Sequence, residues 1–137
     1  MSPSWLVIGL GNPGPRYDGT RHNVGADVIT ELCRRVGENL SPARGQRAEL
    51  VRTRLSSAGL GIPAADAQTV TLMRSRTYMN ESGIAVRKVA DFSGITPDHL
   101  IVVHDEIDLD PGRLRIKKGG GDNGHNGLKS IRVHIRT

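Results

Sequence analysis

The chain has 137 residues, which fits one domain with room for a core that needs no disulfide or metal staple. Its net charge of +5 and pI of about 10.0 favour an anionic partner, nucleic acid first, with a merely basic soluble protein as the plainer alternative. Cys33 is the one cysteine, so no intrachain disulfide can form and a reducing, cytoplasmic setting fits. The N-terminus has no basic run ahead of an apolar stretch, and its apolar run is too short to span a membrane, so we expect neither signal peptide nor membrane anchor.

Aromatic residues make up 3% of the chain, so the core has to be built from Val, Ile, Leu and Ala. In chain order, Trp5-Leu6-Val7-Ile8-Gly9 reads as a buried strand that ends in glycine. Residues 10–21 hold too many Gly and Pro for regular structure. Val24, Val28, Leu32 and Val36 recur every four residues and predict a helix over 23–36, with Gly37 as its stop. Residues 48–55 alternate as a strand, 56–68 read as an irregular Gly/Ala/Pro connection, and Val70-Thr71-Leu72-Met73 is another strand. Ile84, Val89 and Phe92 give helical spacing over 80–92, closed by Gly94. Leu100-Ile101-Val102-Val103 reads as a buried strand, and Leu114 and Ile116 alternate with basic residues as in a half-exposed one. A glycine-rich loop follows over 119–127, with a short helix starting near Asn126. Strands and helices interleave, so the expected fold is α/β: a single three-layer α/β/α domain over residues 1–137 with a mixed, largely parallel twisted sheet.

Five motifs carry the chemistry. Gly9-Leu10-Gly11-Asn12-Pro13-Gly14 matches the dinucleotide pattern G-x-G-x-x-G, but Pro15, Asp18 and Gly19 delay the helix whose N-terminus would face a pyrophosphate. The alternative is a glycine turn that carries Asn12 at a strand end. In Thr20-Arg21-His22-Asn23, His22 sits at a helix start, where the dipole disfavours imidazolium and a neutral general base is suited; a capping histidine is the plainer alternative. His104-Asp105-Glu106 follows a strand, where a carboxylate can orient a histidine, hold a cation, or simply face water. The stretch from Lys117 to Ser130 sets glycines beside lysines, as phosphate cradles do, without P-loop spacing. In Tyr78-Met79-Asn80, Asn80 is either an N-cap or a donor to a substrate carbonyl.

These motifs, in this order, resemble the bacterial peptidyl-tRNA hydrolase family, and the resemblance runs from Trp5 to about Ile131. It implies hydrolysis of the ester between peptide and tRNA, with His22 as the base that activates water and Asp105 as the acid that orients it. It further implies that Asn12, Asn80 and Asn126 hold the peptide and polarise the ester carbonyl, that Met79 is an apolar cleft contact, and that Tyr17 lies near the tRNA 3′ end. Arg115 and Lys117 match basic positions near phosphate. The implied protein is a cytoplasmic monomer acting on peptidyl-tRNA, with no metal, no cofactor and no obligate protein partner.

Two departures stand out. Met73-Arg74-Ser75-Arg76-Thr77 replaces the family's lysine-proline lead-in, and the arginines are expected to keep that segment basic. The chain also closes at Arg132-Val133-His134-Ile135-Arg136-Thr137, where the family continues through a helix, a core strand, a lid and a final helix. From this we expect a domain incomplete at its C-terminus, marginally stable or self-associating, with weak turnover. The alternative function is a catalytically weak tRNA-binding module.

Overall fold

The computed structural model describes residues 4–10, 24–43, 48–75 and 82–104. Strand β1 (Ser4–Gly9) is followed by helix α1 (Val24–Val36), then β2 (Ser41–Ala43), β3 (Ala48–Ser56), β4 (Gly59–Leu60), β5 (Gln68–Ser75), helix α2 (Ser82–Ser93), a 3-10 turn (Pro97–His99) and β6 (Leu100–Val103). They form one sheet in the order β2-β3-β5-β1-β6, with β4 paired to β3.

β1 runs parallel to both β5 and β6, whereas β3 is antiparallel to β2, β4 and β5. The sheet is mixed, as expected, and among the described strands the parallel pairs are β5-β1 and β1-β6. The connection between β3 and β5 explains why that pair is antiparallel: a parallel pair needs a crossover, usually helical, and residues 57–67 hold no helix. That stretch is also more ordered than its composition suggests. It contains β4, Ser56 Oγ accepts from the Ala58 amide at 3.1 Å, and Asp66 Oδ2 accepts from the Ser57 amide at 3.0 Å.

Each helix covers one face of the sheet, which makes three layers. Because side chains alternate along a strand, Leu6 and Ile8 of β1 pack with Ala85, Val86, Val89 and Ala90 of α2. Trp5 and Val7 point the other way, to the cluster of Ile29 and Cys33 of α1 with Val51, Val70 and Leu72. On α1 the buried line is Ala26, Ile29 and Cys33, while Val28, Leu32 and Val36 are half-buried. A strict four-residue row drifts around a helix of 3.6 residues per turn, so the apolar row in the sequence flanks the buried face instead of forming it. α2 shows the same kind of offset: Val89 is buried, but Phe92 is 70% exposed. β6 is less buried than its continuous apolar sequence predicts, and Ile101 is 47% exposed. Among the described strands β6 ends the sheet order, so its second edge has no described neighbour.

Both helices stop as their glycines predict. Gly37 has φ +72° and Gly94 φ +68°. Glu38 N–H donates to Cys33 C=O at 3.0 Å, and Ile95 N–H donates to Ala90 C=O at 2.9 Å, the closing bonds of two Schellman caps.

Candidate active site

The parallel strands β1, β5 and β6 end at the same edge of the sheet, and α1 begins there. Their ends are tied backbone to backbone. Leu10 N–H donates to Val103 C=O at 3.0 Å, and Ala26 N–H donates to Leu10 C=O at 3.1 Å. One junction thus joins the end of β1, the first turn of α1 and the end of β6.

Two glycines make so close a meeting possible. A Cβ on Gly9 would collide with the carbonyl of Gly25 and lie 2.5 Å from Ile29 Cγ1. A Cβ on Gly25 would collide with the carbonyl of Val103 and lie 2.7 Å from the Leu10 nitrogen. Gly9 therefore serves helix packing. The first described helix after the motif, α1, begins at Val24, and residues 11–14 of the glycine motif lie outside the described residues.

The side chains singled out in the sequence, Asn12, Tyr17, His22, Met79, Asn80, Asp105, Arg115, Lys117 and Asn126, all lie outside the described residues. What the structure brings together is the framework from which most of those segments leave. Asn12 is the second residue after Leu10, His22 the second before Val24, and Asp105 the second after Val103. Met79 and Asn80 belong to the stretch that joins the end of β5 to the start of α2. No comparable anchor is described for Tyr17, Arg115, Lys117 or Asn126.

One functional tie escaped the sequence reading. Arg74 lies beside Gly9 in the β1–β5 register and directly opposite Glu49 in the β3–β5 register. Its Nη2 donates to Glu49 Oε1 at 2.9 Å and its Nη1 donates to Thr30 Oγ1 at 3.0 Å. Thr30 in turn donates back to the Ala26 carbonyl at 3.1 Å. Arg74 therefore clamps β5 to β3 and to the second turn of α1, and its charge is neutralised in place. The signal was the cross-strand pair, which becomes visible only once the register is known.

Cys33 is buried, and that burial pushes its thiol pKa up, so it stays protonated and packs as a small apolar group. No group of three or more potential metal ligands gathers among the described residues. No helix among them is long and apolar enough to cross a membrane.

An α/β domain with backbone junctions and a helix N-terminus at the C-terminal ends of parallel strands belongs to the class that binds its ligands at that edge. The comparisons make the class specific. Residues 6–137 match the family model described as peptidyl-tRNA hydrolase, and the chain belongs to that family. It is 91% identical over its whole length to the peptidyl-tRNA hydrolase of Cutibacterium acnes, of which it spans 68%. It is 46% identical to that of Pseudarthrobacter chlorophenolicus, of which it spans 65%. The crystal structure of the Acinetobacter baumannii peptidyl-tRNA hydrolase superposes with a TM-score of 0.83 at 38% identity, over 98% of this chain and 64% of that one.

Proposed function

We propose that this chain hydrolyses the ester that joins peptide to tRNA in peptidyl-tRNA, and that it does so in the cytoplasm as a single domain. The observation that supports the reading is the junction of Leu10, Gly25 and Val103 at one edge of the sheet, since in the sequence Asn12, His22 and Asp105 each lie within three residues of it. In this reading His22 is the general base. It takes a proton from water, and the hydroxide attacks the ester carbonyl. Asp105 holds the imidazole by accepting its second N–H. The start of α1 at Val24 supports the choice, because a base just ahead of a helix N-terminus is kept neutral by the helix dipole.

Asn12, Asn80 and Asn126 supply amide donors to the carbonyl and to the oxyanion that forms from it. Collapse of the tetrahedral intermediate returns the proton to the departing ribose oxygen and leaves a peptide carboxylic acid, which then gives up its remaining proton to solvent. Met79 packs against the peptide, Tyr17 against the tRNA 3′ end, and Arg115 and Lys117 meet phosphate. The ester is activated compared with an amide, so the scheme needs no nucleophilic side chain, metal or organic cofactor. The protonated, buried Cys33 is consistent with that.

The test is His22→Ala. Turnover of peptidyl-tRNA should fall by roughly 100-fold to 10,000-fold, the usual worth of a positioned base, with folding and tRNA binding retained. Asp105→Asn should cost less and change the pH profile. Full turnover in His22→Ala would refute the mechanism.

A further inference from the structure

The described arginines differ in how their charge is met. Arg34 and Arg35 pair with Glu31, Arg74 with Glu49, and Arg87 with Asp91. Arg52 and Arg54 are exposed, and among the described residues no carboxylate pairs with either. Two residues apart on β3, they share the face that carries α2.

Arg52 is held nonetheless. Its Nη2 donates to Ser93 Oγ at 3.3 Å, and its guanidinium lies 5.9 Å from the centre of the Phe92 ring. Phe92 is 70% exposed, although its place in the helix pattern predicted burial. An aromatic face and a hydroxyl thus orient a guanidinium that no acid among the described residues neutralises. An arginine fixed in this way loses less freedom on meeting a planar or tetrahedral anion and keeps N–H donors for it.

We propose that Arg52 and Arg54, with Phe92 and Ser93 holding the first of them, form a contact for the phosphodiester backbone of tRNA at the far end of α2. The inference rests on the reading above only in taking tRNA as the anion. Its position fits that substrate. α2 runs from the candidate catalytic edge toward this patch, and the ten helical steps from Ser82 to Phe92 span about 15 Å. A nucleic-acid strand presents a phosphate about every 3.4 Å in a duplex, so a chain whose ester lies at that edge can place several phosphates within reach.

The experiment measures binding of deacylated tRNA against salt concentration, together with turnover of peptidyl-tRNA and of a short peptidyl-nucleotide ester. Arg54→Gln removes an exposed side chain and should fold normally. Arg52→Gln and Phe92→Ala complete the set, with thermal unfolding as the check on folding. Each arginine substitution should lower the slope of log K against log salt by roughly 0.7–0.9 and weaken binding several-fold at low salt. Phe92→Ala should weaken binding less and leave the slope nearly unchanged. For peptidyl-tRNA, KM should rise with kcat retained, and the short ester should be cleaved as by the wild type.

An unchanged slope and affinity in the folded Arg52→Gln/Arg54→Gln double variant would overturn the proposal, as would equal losses on the short ester. Wild-type protein that binds tRNA with this arginine-dependent slope but cleaves neither ester would sustain the patch and refute the hydrolase reading instead.

Discussion

The two ends of the parallel strands are built by different means. At the C-terminal edge, backbone meets backbone: Leu10, Gly25 and Val103 touch through amides and carbonyls, and a Cβ on Gly9 or Gly25 would not fit. At the N-terminal edge, side chains do the joining. Trp5 Nε1 donates to Gln68 Oε1 at 2.7 Å, its ring meets that of His99 edge-on at 4.5 Å, and Arg52 lies across Phe92. A junction of main chain has few ways to shift, because rigid strands and a helix carry its atoms. A junction of exposed side chains can move one partner without moving the fold. Precision is concentrated where the candidate catalytic segments depart, and adaptable polar surface lies at the other end.

Gly25→Ala should break this contrast most severely. The added methyl meets the Val103 carbonyl, and only a shift of α1 or β6 relieves it. Overpacking of that kind costs about 3 kcal/mol or more, which should lower Tm by about 12 °C in a chain of this size. Gly37→Ala is the control. Its cost is strain at φ +72° alone, with no atom within 4 Å of the new Cβ, so about 1 kcal/mol is expected. Equal thermal shifts for the two variants would show that the junction is not tight.

Arg74→Met comes next. It strands Glu49, whose side chain is 25% exposed, and frees Thr30. The expected loss is about 1–2 kcal/mol, less than for a fully buried pair because Arg74 itself is 34% exposed. Adding Glu49→Gln should recover part of it, since the stranded carboxylate is then gone. At the opposite edge, Trp5→Phe removes one exposed hydrogen bond and should cost less than about 1 kcal/mol by denaturant titration. A larger loss for Trp5→Phe than for Arg74→Met would reverse the ranking of the two edges.

The smallest effect belongs to Glu31, away from both edges on the surface of α1. Hydrogen bonds from Arg34 and Arg35 lower its pKa from 4.5 to about 2. A depressed carboxylate pKa stabilises the fold above the unfolded value. That contribution is lost as pH falls from about 4.5 through about 2. Glu31→Gln should lower Tm slightly at neutral pH, where the carboxylate is paired but exposed, and leave it unchanged near pH 2, so that the acid limb of stability against pH is flattened. A marked fall at neutral pH would give this exposed cluster a structural weight that its setting does not suggest.

The sequence by itself determined the longer elements and the family, but not the short strands β2 and β4. Short apolar runs marked β1, β5 and β6, the first of them ending in Gly9, and four-residue apolar spacing with a terminal glycine marked α1 and its cap. These are local signals, written within one strand or one turn of helix. Five motifs in order carried the resemblance that the family model and the relatives bear out. The sequence could not show which residues each face buries or how distant segments meet. Ile29 and Cys33 displaced the expected row on α1 because helix rotation against the sheet selects the face. Phe92 was left in solvent because Ala85, Val86, Val89 and Ala90 filled the core beneath α2. Gly9 matched a phosphate motif and proved to be the point where α1 crosses β1, and Arg74 matched a basic lead-in and proved to be a clamp on Glu49 and Thr30. Each of these depends on strand register and on the approach of segments far apart in the chain, and only tertiary packing sets those distances.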